Sequence, residues 1–129
     1  MDTQLLVSGK ALRLYGIMDG SECPVREFIS SLSEADRRQT VKLLRFRADK
    51  LDIYNEEIFR CIGEGIYELK TRNRVRIFCF WGGRGSLVLT HGVFKPKPKG
   101  LRREKEKSLA CRVWYEKHHN NNKLHLVKK

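Results

Sequence analysis

The residues best equipped for chemistry are cations gathered in the second half of the chain. Lys70, Arg72, Arg74, Arg76, Lys95, Lys97 and Lys99 fall within a short stretch, with His91 among them and Tyr67 and Tyr115 near in sequence. Residues 70–129 hold 17 Lys+Arg against 3 Asp+Glu, whereas residues 1–69 hold 10 against 12. A site so poor in carboxylates is unsuited to two-metal nuclease chemistry or paired-carboxylate hydrolysis, which both need acids in place. A group of Arg, Lys and one His can instead bind phosphate and stabilise charge on a phosphorane-like transition state without a metal. Other chemistries lack their residues. Gly82-Gly83-Arg84-Gly85 has neither Walker nor dinucleotide spacing. His118 and His119 are adjacent, so a helix would point them apart. Cys23, Cys61, Cys79 and Cys111 show no zinc-site spacing and read as reduced thiols of a cytosolic protein. No metal and no cofactor is expected.

The formal net charge of +12 over 129 residues thus resides entirely in the C-terminal half. Such segregation suggests a polyanionic partner, although a basic surface serving solubility alone would give the same count. The length suits one domain with its own core, assigned to residues 1–118, and a basic tail over 119–129. No apolar run approaches the ~18 residues of a membrane span and no signal-peptide pattern follows Met1, so a cytoplasmic protein without membrane contact is expected.

Positioning the cations requires strands. After Gly65 the hydrophobic period changes from 3.6 to 2, and residues 65–72, 74–81 and 86–94 read as three successive strands. If 72–74 is a three-residue hairpin loop, Lys70 pairs directly with Arg76, and Leu69 and Ile77 share the opposite, core-facing side. Two like charges facing each other without a carboxylate cost stability, which an anionic ligand would explain. Residues 10–18 alternate enough to be a first strand. Pro24 opens a helix with Val25, Phe28, Ile29 and Leu32 on one stripe. Ser33 and Asp36 form a capping box for a second helix reaching about Lys50, with Val41, Leu44, Ala48 and Leu51 buried. Arg37, Arg38, Lys42 and Arg45 lie off that stripe, as a solvated face would. Lys95-Pro-Lys-Pro-Lys-Gly100 is an extended basic loop. A last helix runs from Leu101 to about His118, with Leu109/Val113 and Ala110/Trp114 as apolar pairs, and Asn120–Asn122 ends it.

Several of these segments, in this order and spacing, resemble the RelE/HigB-like toxins of type II toxin–antitoxin systems, in their phage-derived branch. They are Gly20 with Pro24-Val25-Arg26-Glu27-Phe28-Ile29 and Leu32; Asp36-Arg37; Gly65-Ile66-Tyr67-Glu68-Leu69-Lys70; Val75-Arg76-Ile77-Phe78; and Leu89-Thr90-His91-Gly92-Val93-Phe94-Lys95. Pro96 stands where the family commonly has a second Lys, and Gly100-Leu101 where it has Thr-Pro. The resemblance implies an α+β, RelE-like fold: two N-terminal helices on a small, mostly antiparallel four-stranded sheet, plus a C-terminal helix. It implies an mRNA endonuclease, usually ribosome-dependent, held inactive by a cognate antitoxin of helix-turn-helix type; the charge of the C-terminal half adds that this antitoxin should be acidic where it covers the strand face. Cleavage would proceed by attack of the RNA 2′-OH on the adjacent phosphate, giving a 2′,3′-cyclic phosphate and a 5′-OH. Arg76 would clamp the transition-state phosphate, Lys70 would position or activate the 2′-OH, and His91 and Lys95 would complete the catalytic set. Arg72, Arg74, Lys97 and Lys99 would bind nucleic acid. Glu68 reads as an ion-pair partner for a basic neighbour. Two other classes stay open: a non-catalytic, ParE-like toxin that binds gyrase, and a plain basic nucleic-acid-binding module.

Overall fold

The computed structural model describes residues 1–127, with side chains through His118. The backbone forms β1 (Asp2–Ser8), β2 (Arg13–Met18), α1 (Pro24–Ser31), α2 (Glu34–Asp49), β3 (Phe59–Gly63), β4 (Ile66–Lys70), β5 (Val75–Trp81), β6 (Ser86–Phe94), a 3-10 turn at Pro98–Gly100 and α3 (Leu101–Val127). The sheet has six strands in the order β1-β2-β6-β5-β4-β3. Only β2 and β6 run parallel. The α+β class and the two N-terminal helices agree with expectation; the four-stranded sheet does not. The two additional strands, β1 and β3, are the two edges. Each carries a bulge, between Leu5 and Val7 in β1 and between Cys61 and Gly63 in β3. A bulge shifts the alternation by one residue, so neither strand shows period 2 in its sequence.

The sheet is covered on both faces. Leu14, Leu69, Val75, Ile77, Leu87 and Leu89 pack with Val25, Leu44 and Ala48 beneath α1 and α2. Ile17, Ile66, Phe80 and Val88 pack with Leu109, Trp114 and Tyr115 of α3 on the other face. Ser33 caps α2, its hydroxyl accepting from the Asp36 amide at 3.2 Å. Such a cap is worth about 1 kcal/mol. Val41 and Leu51 do not belong to the buried stripe, being 37% and 69% exposed. Thr40 and Arg47 take the inward positions instead. Arg47 tolerates burial because Nη2 donates to the Lys50 and Leu51 carbonyls, both at 2.9 Å, and its guanidinium lies over the Phe59 and Trp81 rings. On α3 the inward residues include Ser108 and Leu109, while Val113 is 66% exposed. The helix also continues through Asn120–Asn122, where a stop was expected; Asn costs a helix less than about 1 kcal/mol per residue. The two C-terminal Lys residues of the expected tail, Lys128 and Lys129, lie outside the described residues. Among the described residues no helix is long and apolar enough to cross a membrane.

The β1–β2 turn closes against the end of α2. Ala11 and Leu12 amides donate to the Ala48 carbonyl at 3.0 and 2.8 Å, satisfying an acceptor that a helix C-terminus leaves open. A Cβ at Gly9 would overlap the Ala48 carbonyl, which is helix backbone and cannot swing aside. Gly9→Ala is therefore expected to cost about 1–3 kcal/mol, the usual range for overpacking. A urea midpoint unchanged from wild type would show that the turn does not approach α2 so closely.

Candidate functional site

The β4–β5 hairpin forms in the expected register. Lys70 pairs with Arg76, and Leu69 with Ile77 on the opposite face. The Thr71 amide donates to the Val75 carbonyl at 3.0 Å, leaving 72–74 as the loop. Arg72 and Arg74 project from it into solvent, Arg74 with φ of 68°. The Asn73 amide group donates to Asp36 at 2.7 Å, which fastens the loop to the start of α2.

The expected uncompensated pair of cations has a counterion. Glu68 is fully buried one position along the same face of β4. Arg76 donates through Nη1 to both of its oxygens at 2.9 Å, and Arg60 donates through Nε to Oε1 at 2.7 Å. A buried carboxylate is tolerable only when paired in this way. Glu68 is thus the ion-pair partner the sequence suggested, and its presence removes the need for an anionic ligand to explain the Lys70–Arg76 pairing. The triad of two guanidinium groups and one carboxylate still carries one net positive charge. Arg76 remains 19% exposed, and among the described residues its Nε is buried without a partner and its Nη2 makes no hydrogen bond.

His91 lies on the same sheet face but in a different setting. It pairs with Phe78 in register, beside a bulge in β6 at Thr90, and stacks on the Phe78 ring at 5.1 Å. Nδ1 meets the Thr90 hydroxyl at 2.9 Å and Nε2 meets Glu104 of α3 at 3.2 Å. The Thr90 hydroxyl in turn contacts Ser108 at 2.6 Å. Burial lowers the His91 pKa from 6.5, with the Glu104 carboxylate opposing the shift. The native state therefore holds fewer protons than the unfolded chain just below pH 6.5, and stability rises with pH through that window before levelling off above it. The difference in unfolding free energy between wild type and His91→Asn is expected to grow as pH rises to about 6.5. A difference that is flat between pH 5 and 7 would mean His91 titrates as it does in the unfolded chain.

The remaining cations gather at the end of the sheet where β4 stops and β6 ends. The Lys95 amide donates to the Arg74 carbonyl at 2.8 Å, tying the basic loop to the hairpin. Lys95 is exposed, with φ of 50°, and its ammonium lies over the Phe94 ring at 5.1 Å. Pro96 is buried, while Lys97 and Lys99 are exposed on either side of Pro98. The structure therefore brings together Lys70 and Arg76 in register, with Arg72, Arg74 and Lys95 on the backbone segments that close the same end of the sheet and Lys97 and Lys99 on the loop that follows. It does not present His91 as a free acid or base. Sequence reading did not find Arg60, Thr90, Glu104 or Ser108. Arg60 was legible only through β3, whose alternation its bulge erases, and the Glu104 contact depends on how α3 crosses the sheet.

A search of curated proteins finds no match to the chain. The family described as Phage derived protein Gp49-like (DUF891) matches residues 27–112, which include α2, β3 to β6 and every candidate residue named above. With well over half of its length so matched, the chain belongs to the phage-derived Gp49-like family.

Proposed function

We propose that the protein is the toxin of a type II toxin–antitoxin system and acts as a ribosome-dependent, metal-independent mRNA endonuclease in the cytoplasm. Membership in the Gp49-like family, which is related to the RelE/HigB toxin type, supports the toxin reading and an antitoxin as partner. The observation that carries the activity is the positive charge left over after Glu68 is paired with both Arg60 and Arg76, at a sheet end that also bears Lys70 and whose closing backbone segments carry Arg72, Arg74 and Lys95. In this reading the RNA 2′-oxygen forms a bond to the adjacent phosphorus and the bond to the 5′-oxygen breaks. The 2′-hydroxyl loses a proton and the departing 5′-oxygen gains one. The Nη2 side of Arg76 and the Lys70 ammonium stabilise the charge that grows on the phosphoryl oxygens, as preorganised cations do for developing anions. Lys70 also positions the 2′-hydroxyl, and Lys95, Lys97, Lys99, Arg72 and Arg74 hold the flanking phosphates.

One observation favours the non-catalytic, gyrase-binding alternative. Both ring nitrogens of His91 are engaged, with Thr90 and Glu104, so the one histidine of the proposed catalytic set is not free to move a proton. The two readings separate in one experiment. The purified chain is added to a translating ribosome system and, separately, to a gyrase supercoiling reaction, each with and without EDTA. Cleaved mRNA bearing 2′,3′-cyclic phosphate ends, unaffected by EDTA, is the expected result. Lost supercoiling with intact mRNA would establish the alternative.

A further inference from the structure

A second basic cleft lies beyond the Lys70–Arg76 spot, where the first two turns of α3 pass over the edge strand β3. Arg60, Cys61, Ile62, Leu101, Arg102 and Lys105 line an open space of about 360 Å³, three cations with no carboxylate among them. Arg60 is held in place by its bond to Glu68, and therefore by the same buried carboxylate that fixes Arg76. Arg102 and Lys105 are only loosely engaged. Their partners Glu106 and Glu64 stand at 3.6 and 3.5 Å, and both glutamates are 64% exposed. Exposed pairs of this kind contribute little and yield readily to a better anion.

The cleft is continuous with the site already described. The Lys95–Gly100 loop starts at the hairpin, through the Lys95–Arg74 backbone bond, and delivers Leu101 into the cleft. Lys97 and Lys99 lie along that path. Arg60 and Arg76 stand on strands separated by one neighbour, on the order of 10 Å apart by inter-strand spacing. Ile62 and Leu101 give the cleft an apolar side against which a sugar or base can rest, next to cations placed for phosphate. That mixture suits a single-stranded nucleic acid.

We propose that the β3–α3 cleft is a phosphate subsite for single-stranded RNA whose backbone continues from the Lys70–Arg76 spot along the Lys95–Gly100 loop. The inference rests on the RNA-directed reading of the function, but it concerns binding and not cleavage. Arg102 and Lys105 are its contact residues, and Arg60 is a positioning residue that links the subsite to Glu68.

The test uses a labelled, fully 2′-O-methylated oligoribonucleotide, which can bind but cannot be cleaved, and reads affinity by fluorescence anisotropy over a salt series. The variant is Arg102→Gln with Lys105→Gln. The control removes the same charge from the outer face of α2, by Lys42→Gln with Arg45→Gln, and thermal melts confirm that both fold. With a salt slope of about 0.7 per phosphate contact on a single strand, each lost contact weakens binding about 5-fold at 0.1 M salt. The cleft variant is therefore expected to bind about 25-fold more weakly and to lose about 1.4 from its slope, with the control within about 2-fold of wild type. Equal losses in both variants would reduce the effect to net charge and overturn the subsite. So would a wild type that does not bind the oligonucleotide, or a cleft variant that keeps its RNA affinity and instead loses affinity for polyglutamate, which would assign the cleft to an acidic protein. Cleft-dependent binding by a chain that leaves ribosome-bound mRNA intact would support the subsite and overturn only the endonuclease reading.

Discussion

Replacing Arg76 with alanine is expected to slow single-turnover cleavage of ribosome-bound mRNA by about 10²–10³-fold, the usual consequence of removing one preorganised electrostatic stabiliser. The loss should fall on the cleavage step and leave ribosome binding nearly intact, because the interaction strengthens as charge accumulates on the phosphoryl oxygens. Arg76 also pairs with Glu68, so alanine tests two functions at once. Arg76→Lys separates them. An ammonium keeps a positive charge beside the Glu68 carboxylate but lacks the planar fork whose other edge would face the phosphate in the proposed reaction. The lysine variant should therefore recover most of the stability lost by alanine and only part of the rate. Lys99→Ala should do the reverse, weakening binding and its salt dependence while the bound-state rate holds. Full activity in Arg76→Lys, or equal rate losses in Arg76→Ala and Lys99→Ala, would remove Arg76 as the phosphate clamp.

The parts of this site that were legible in the sequence are those fixed by local rules. The Lys70–Arg76 register follows from a three-residue loop and period-2 strands, and the structure reproduces it. The Ser33 cap and the start of α1 at Pro24 are equally local. What escaped reading depends on tertiary contacts. Leu5-Leu6-Val7 and Cys61-Ile62-Gly63 surround bulges, so their strands look irregular, and period-2 alternation reveals four strands of a sheet that has six. Missing β3 concealed Arg60, and without Arg60 the burial of Glu68 could not be inferred. Arg47 was hidden for a different reason. Helix periodicity places it three residues after Leu44, on the buried side, but an arginine there becomes intelligible only once the Lys50 and Leu51 carbonyls just past α2 and the Phe59 and Trp81 rings are seen around it. The Phe78–His91 pairing was likewise settled by a single extra residue, Thr90, in β6.

Glu68→Gln should be the most destabilising substitution in the site, more so than either of its partners' removal. The glutamine keeps the volume and one acceptor but withdraws the negative charge that Arg60 and Arg76 share, with Lys70 directly across from Arg76. Breaking a buried ion pair by neutralising one member typically costs about 3–5 kcal/mol, because the charge left behind can neither pair nor reach water. Arg76 is left in that position only in part, since 19% of its side chain is exposed, so the cost should fall toward the lower end of that range. Arg60 is different: 38% of its side chain is exposed, so it can turn outward, and Arg60→Ala should cost far less than Glu68→Gln. The origin of the effect is testable by rescue. If it is repulsion among the stranded cations, then Glu68→Gln combined with Lys70→Met should be more stable than Glu68→Gln alone, whereas a defect of packing would gain nothing from the loss of Lys70. Denaturant unfolding of the two single variants, the double variant and Arg60→Ala decides the matter. A Glu68→Gln protein as stable as wild type would mean the carboxylate does not hold the two arginines, and the geometry that aims Arg76 would need another cause.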